Sequence, residues 1–231
     1  MDKEKLIRIF DKQATKYENK KEGPAEHEWR QGLLSHAKGK VLELAVGAGA
    51  NFSFYPPGVE ITATDFSEAM LEKAKLAAKQ HRIDGHFICS DIEEMNFPDH
   101  SFDTIISTLS FCSYENPSMV LDKINRWCKP DGTLLFMEHG ISSNFAVSVV
   151  QKTLNPLLYR FYGCHHTRNI IGLVRDSGIT IDKTECYWFI WFILFGRSRG
   201  SSDSAVFTTI FLVQNESSVR KSLLCRVCRQ F

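Results

Sequence analysis

Apolar positions along the chain recur with two periods. Near the start the period is helical: Leu6, Ile9, Phe10, Gln13 and Tyr17 fall near one face, with lysines around the rest. That stripe predicts an amphipathic helix over 3–19. Gly23-Pro24 interrupts it, and a second helix is expected from about Ala25 to Ala37. Gly39 then opens a short apolar run with strand character, and residues 59–64 form a second. Ser67 suits the N-cap of a helix on which Met70, Ala74 and Ala77 share a face. His86 to Cys89 predicts a third strand, and the continuous apolar run Phe102 to Ser107 a fourth. Asn116-Pro117 predicts a helix start, with Val120, Ile124 and Trp127 facing inward. Lys129-Pro130-Asp131-Gly132 reads as a turn into a fifth strand, Thr133 to Glu138.

Strands alternating with helices at this spacing imply a parallel sheet covered on both faces. After residue 140 the pattern changes. Residues 143–177 read as helical with a break around Gly163. Two β-like runs follow, Ile179 to Phe195 and Ala205 to Val213, joined by a Gly- and Ser-rich link. The expected fold is therefore a Rossmann-like α/β domain. Its sheet is mostly parallel and seven-stranded, with an antiparallel terminal strand. Residues 1–214 are expected to form one domain, with 1–38 as a helical lid and 143–177 as a helical insertion over the substrate. Residues 215–231 are a polar, basic tail.

Composition narrows the classes. The chain has 231 residues and a net charge of +1, so no global field points to nucleic acid. Seven scattered cysteines, and a charged Met1–Lys5 without the apolar core of a signal sequence, suggest reduced thiols in a cytoplasm. The most apolar run, Tyr187 to Phe195, is far shorter than the roughly 20 residues of a membrane-spanning helix.

The most informative chemistry lies in Lys40-Val41-Leu42-Glu43-Leu44-Ala45-Val46-Gly47-Ala48-Gly49-Ala50-Asn51. A strand breaks there into a Gly-x-Gly loop, and a second strand ends at Asp65, sixteen residues after Gly49. Glycines at Gly47 and Gly49 let backbone approach a nucleoside cofactor, and a carboxylate at the next strand's tip can accept from two ribose hydroxyls. Asp65 could also merely cap the helix after it. The third glycine of the dinucleotide fingerprint is missing from its usual place, so a cofactor without phosphates, S-adenosylmethionine, fits better than a pyrophosphate. Glu43 would then lie near its cationic amino-acid end. Ligands in open α/β sheets sit outside the carboxyl ends of the strands, which brings in Ser107 and Leu109 at the end of the fourth. Phe66 and Met70 can pack on the adenosine, although Met70 also suits a core. His139, closing the fifth strand, is the best-placed proton acceptor, or a structural histidine. Cys164-His165-His166 places its ligands next to one another, without the spacing of a zinc site, so no metal is expected. An isolated Cys225-x-x-Cys228 in the tail carries no redox or zinc expectation either.

Four segments, VLELAVGAGAN, ITATDFSEAML, CSDIEEMNFPDHSFDTIIS and WCKPDGTLLFMEHG, resemble in their order the class I S-adenosylmethionine-dependent methyltransferases. Alanine and valine at 45 and 46 stand where relatives commonly carry Gly-Cys. The resemblance implies that Asp91 contacts the adenine amino group, that Ile92 packs nearby, and that the loop through Asn51 cradles the cofactor. GANFSFYPPG, STLSFCSYEN, FMEHG and GCHHTR further resemble the subgroup that methylates small alkyl thiols. FDKQATKYEN resembles the entry helix of quinone and phospholipid methyltransferases. These likenesses imply a small, apolar acceptor, with thiol favoured over a quinone precursor or phosphatidylethanolamine. Tyr17, Cys112, Cys164 and Arg168 would lie on the acceptor side. A buried inert thiol at Cys112 and a helix-capping Arg168 are the plainer alternatives. A cofactor-binding protein without turnover, and peripheral contact with a membrane surface, stay open beside the enzyme reading.

Overall fold

The computed structural model describes residues 1–188 and 207–214, with side chains through 184. The apolar run beyond Trp188, the link after it, and the tail with Cys225 and Cys228 lie outside the described residues. The strands are β1 (Lys40–Leu44), β2 (Glu60–Asp65), β3 (Gly85–Cys89), β4 (Phe102–Thr108), β5 (Cys128–His139), β6 (Lys183–Trp188) and β7 (Phe207–Gln214). They form one sheet in the order β3-β2-β1-β4-β5-β7-β6. The first five pair in parallel, and β7 is antiparallel to both β5 and β6. Among the described strands the antiparallel one is thus last in sequence but lies inside the sheet, while β6 forms the edge.

The helices are α1 (Lys3–Glu18), α2 (Pro24–Leu34), α3 (Glu68–His81), α4 (Pro117–Trp127), α5 (Phe145–Tyr162) and α6 (Ile170–Asp176). Side chains alternate across a strand, so each central strand feeds two apolar layers. Leu42, Ile105, Leu134 and Phe136 pack with Val120, Ile124 and Trp127 of α4 and with Ile170 and Val174 of α6. Val41, Ile106, Leu135 and Met137 pack with Leu33 and Leu34 of α2 and with Leu71 and Ala74 of α3. The caps expected at Ser67 and Asn116 accept from the N–H groups of Met70 and Met119, both at 3.1 Å. Lys129–Gly132, expected as a turn, is instead taken up within β5. Pairing with β4 passes from Phe102 opposite Cys128 to Thr104 opposite Thr133, which makes the segment a bulge.

Two elements frame the carboxyl edge. Helix α1 buries only Ala14. Its Phe10 meets the edge of Phe66 at 5.3 Å, Asp11 accepts from the Ser67 hydroxyl at 2.5 Å, and Lys3 pairs with Asp91 at 2.7 Å. The glycine that ends α5, Gly163, sits against Leu6, where a Cβ would come within 2.5 Å of Cδ1. Helix α1 therefore runs across the ends of β2 and β3 to the end of α5. Helix α5 itself has no buried residue. Its Leu154, Leu157 and Phe161 face solvent.

The turn after β1 carries a backbone cost. Ala45 has φ +47°, a left-handed conformation that costs a residue with a Cβ about 1–2 kcal/mol. This explains why glycine suits the position so well. Ala45→Gly should raise the free energy of unfolding by about 0.5–1 kcal/mol, after glycine's greater entropy loss is set against the relieved strain. Urea denaturation of the two proteins checks it.

Candidate active site

Sheet topology sets where the pocket opens. At the reversal of strand order between β1 and β4 the loops diverge, leaving a crevice at the carboxyl edge. The crevice is lined by the β1 loop (Ala45–Ala48, Ala50, Asn51), by Asp65, Phe66 and Met70, and by Thr108–Ser110 and Ser113 after β4. Phe10, Tyr17, Lys20, Glu22, Glu26 and Arg30 close it from the N-terminal side.

Gly47 and Gly49 do different work. Gly47 has φ +57°, and a Cβ there would meet no atom within 4 Å, so its face is open to the crevice. Gly49 has φ +85° and packs on the Phe52 ring, 2.8 Å from where a Cβ would stand. The Gly47 N–H donates to Asp65 Oδ2 and the Ser67 N–H to Oδ1, each at 2.9 Å. The carboxylate is thereby fixed at the crevice wall with lone pairs to spare. Burial pushes its pKa up to about 6, against the pull of those N–H groups. Asp65 does not cap α3; Ser67 does.

Glu43 is buried one step behind the wall. Its Oε1 accepts from the Asn51 amide and its Oε2 from the Tyr55 hydroxyl, each at 2.7 Å. Desolvation, opposed by those bonds, raises its pKa to about 7. Asn51 turns its other face to Arg30, whose Nη1 donates to Asn51 Oδ1 at 2.5 Å. Arg30 is 4% exposed and is also paired with Glu22 and with Glu26. None of Arg30, Glu22 or Glu26 was anticipated. The Glu26–Arg30 spacing is the only signal in the sequence, and it matches any i,i+4 surface pair.

The other expected residues distribute as follows. Phe66, Met70, Leu109 and Tyr17 line the crevice. Asp91 accepts from the Glu93 N–H at 2.8 Å and pairs with Lys3, while Ile92 is buried in the α4-side layer. Ser107 is fully buried and its hydroxyl is spent internally, 2.6 Å from both Ser110 Oγ and Glu138 Oε1. Glu138, singled out for nothing in the sequence, also accepts from the Ser110 and Phe111 N–H groups at 3.1 and 3.2 Å. It thus holds the turn in which Leu109 adopts φ +55°. His139 is 8% exposed and lies outside the crevice lining; its Nε2 is 3.2 Å from Cys164 Sγ, and its ring stacks on His166. The thiol of Cys112, pressed by Cys164 and by burial, is held well above the usual thiol range. Arg168 donates to the Tyr114 carbonyl oxygen and caps no helix.

An open αβ crevice with a glycine cradle and a buried carboxylate at the second strand's tip defines a class I methyltransferase fold, and the comparisons agree. Residues 42–136 match the family model described as a methyltransferase domain. The chain is 37% identical over 134 residues to thiol S-methyltransferase TMT1B of Rattus norvegicus, a match covering 55% of this chain and 54% of that protein. It is 28% identical over 118 residues to phosphatidylethanolamine N-methyltransferase of Cereibacter sphaeroides, covering 50% and 58%. The chain thus spans about half the length of the curated relatives it matches. The solved structure of the BH2331 protein of Bacillus halodurans superposes with a TM-score of 0.64 at 17% identity, covering 83% of this chain and 98% of that one.

The raised Glu43 pKa fixes a sign. Its folded value lies above the ordinary 4.5, so its favourable contribution to stability is complete below about 4.5 and is lost as pH rises through about 7. The loss amounts to roughly 3 kcal/mol. Glu43→Gln should flatten the fall in stability between pH 4.5 and 7.5, read as the urea midpoint against pH in the absence of cofactor. A variant with the wild-type slope would remove the buried charge from this account.

Proposed function

We propose that the chain transfers the methyl group of S-adenosylmethionine to the sulfur of a small apolar thiol. The observation that carries the reading is the Gly47–Asp65 wall: an open glycine face bonded to a fixed, dry carboxylate. In this reading Asp65 accepts from the ribose hydroxyls, Gly47 gives the cofactor room, and Phe66 and Met70 flank the adenosine. Asp91, already oriented by Lys3, accepts from the adenine amino group. The charge of Glu43, transmitted through Asn51, favours the cationic methionine end, which in turn relieves the cost of burying that charge. Helix α1 and the Lys20–Arg30 segment close over the crevice and keep water from the reacting carbon.

Thiol is favoured because no imidazole lines the crevice among the described residues, and its carboxylates Glu22 and Glu26 are paired with Arg30, which leaves little to act as a base. A thiol, with an ordinary pKa near 8.5, needs only modest help to ionise. Its sulfur pair forms the bond to the methyl carbon, and the carbon–sulfonium bond breaks with its pair left on the cofactor sulfur. The proton passes to solvent before the attack. Similarity to thiol S-methyltransferase TMT1B supports the same choice. Phosphatidylethanolamine and quinone precursors are the alternatives, and a phenol or amine would ask more of the protein.

Two measurements test this. Asp65→Ala should weaken cofactor binding about tenfold or more, since a lost charge-assisted hydrogen bond is worth roughly 1.5–3 kcal/mol. In the wild type, affinity should fall below about pH 6 as Asp65 takes up a proton. Titration calorimetry at pH 5 and pH 7.5 reads both. A screen with labelled cofactor over alkyl thiols, demethylated quinols and phosphatidylethanolamine should give S-adenosylhomocysteine and methylated product with thiols. Product from another acceptor alone would retire the thiol, and no turnover with any would leave a cofactor-binding protein.

A second reading concerns where the acceptor comes from. Helix α5 exposes Phe145 (82%), Val150 (56%), Leu157 (55%) and Phe161 (61%), with Lys152 and Arg160 also exposed. No helix among the described residues is long and apolar enough to cross a membrane. We infer that α5 rests on a lipid surface with its long axis in the plane, as amphipathic helices do. Sedimentation with anionic liposomes should pull down the wild type and lose most of a Leu157→Ser/Phe161→Ser variant. Equal sedimentation of the two proteins would remove α5 from any membrane role.

A further inference from the structure

We propose that Cys112, His139 and Cys164 form a three-ligand site for one soft divalent ion, zinc by preference, beside the crevice, with the fourth position open to an acceptor sulfur. The three ligand atoms, Sγ, Nε2 and Sγ, lie within 4.8 Å of one another. A tetrahedral zinc ion, with bonds of about 2.3 Å to sulfur and 2.0–2.1 Å to nitrogen, holds its ligand atoms roughly 3.5–3.8 Å apart. The cluster therefore needs only small side-chain adjustments to close on an ion. His139 Nε2 and Cys164 Sγ are already at 3.2 Å, a separation that suits a hydrogen bond without the ion.

The backbone around the cluster is braced. Cys112 lies in the turn after β4 that Glu138 holds, His139 ends β5, and Cys164 follows the left-handed Gly163 that ends α5. The His165 N–H donates to the Cys112 carbonyl at 2.8 Å, tying the Cys164 segment to the β4 turn. Asn155 of α5 accepts from the His166 N–H at 2.9 Å, which ties the same segment to its own helix. Of the neighbours Cys164, His165 and His166, only Cys164 turns into the cluster; His165 stacks on Tyr159.

Charge and donor type favour zinc. Two thiolates and a neutral imidazole cancel a double positive charge, so a closed site buries no net charge. Cys₂His with one open position is a known catalytic zinc set, and binding releases the two thiol protons to solvent. The site also borders the crevice. Ser110 and Ser113, on either side of Cys112, line it, as does Tyr17.

The open position rests on the thiol reading of the acceptor; the three-ligand site does not. An entering thiol would lose its proton to solvent and bind as thiolate. Its sulfur pair would then take the methyl carbon, and the carbon–sulfonium pair would stay on the cofactor. A thioether is a weak ligand for zinc, so the product would leave and water would return.

The test uses the full chain, reduced, in a Cys225→Ser/Cys228→Ser background so that the tail pair contributes nothing. Cobalt(II) titration should give one equivalent with thiolate-to-cobalt charge transfer and the strong d–d bands of a tetrahedral ion, both displaced by zinc. Cys164→Ser and Cys112→Ser should each weaken cobalt binding at least about 100-fold, the upper end of what outer-sphere partners alone cost. Exposed Cys89→Ser should change nothing. Circular dichroism confirms folding, and if Cys112→Ser fails to fold, the parent protein and Cys164→Ser decide. Absence of the charge-transfer band in the parent, or equal bands in Cys164→Ser, overturns the site. An alkyl thiol should shift the d–d bands, and indifference to thiol overturns the open position. Metal binding by a protein that methylates no thiol would fail the acceptor reading and uphold the site.

Discussion

Burial of carboxylates at the carboxyl edge of the sheet is the constraint on which the rest of the structure depends. Glu43 and Asp65 end up dry because β1 and β2 are central strands, with helices over both faces. Each is raised in pKa by desolvation, and each is kept from neutralising entirely by the donors aimed at it. Those donors are the β1 loop itself: the Gly47 N–H on Asp65 and the Asn51 amide on Glu43. The loop's shape and the site's charge are therefore one feature. A left-handed Ala45 is tolerated because the turn must bring Gly47 and Asn51 to those oxygens.

That charge explains the N-terminal cover. Arg30, buried beside Asn51, adds a cation to a region that two carboxylates make negative, and Glu22 and Glu26 hold its remaining donors. A buried guanidinium without such partners would be costly. The Lys20–Arg30 segment is thus held over the crevice by its ion pairs, while the rest of α2 is anchored in the core by Leu33 and Leu34.

How far this was readable in the sequence follows the range of each interaction. The strands, the α3 and α4 caps and the Gly-x-Gly loop are local patterns, and they stand where the periodicity puts them. The antiparallel β7 needed only the change of pattern after residue 140. Ser107 was read as presenting its backbone to the cofactor because it ends a strand; that its side chain belongs to the Glu138 network is something strand position alone does not contain. Glu138 and Arg30 were missed for a related reason. In sequence, one is a polar residue closing a strand and the other half of a helical ion pair, and only the packed structure buries them.

The same argument bears on the cysteines. A metal reading of Gly163–Arg168 finds no support in sequence spacing, since its ligands are adjacent and not spaced as in the usual zinc sets. Yet His139 and Cys164 are 25 residues apart and meet at 3.2 Å. The helix between them returns the chain to the sheet edge it left, and Gly163, against Leu6 and Phe10 of α1, sets the angle of return. One residue without a Cβ, at φ +71°, therefore fixes both the meeting of α1 with α5 and the approach of Cys164 to His139. A side chain at 163 would meet Leu6 and Phe10 of α1 and would be strained at that φ.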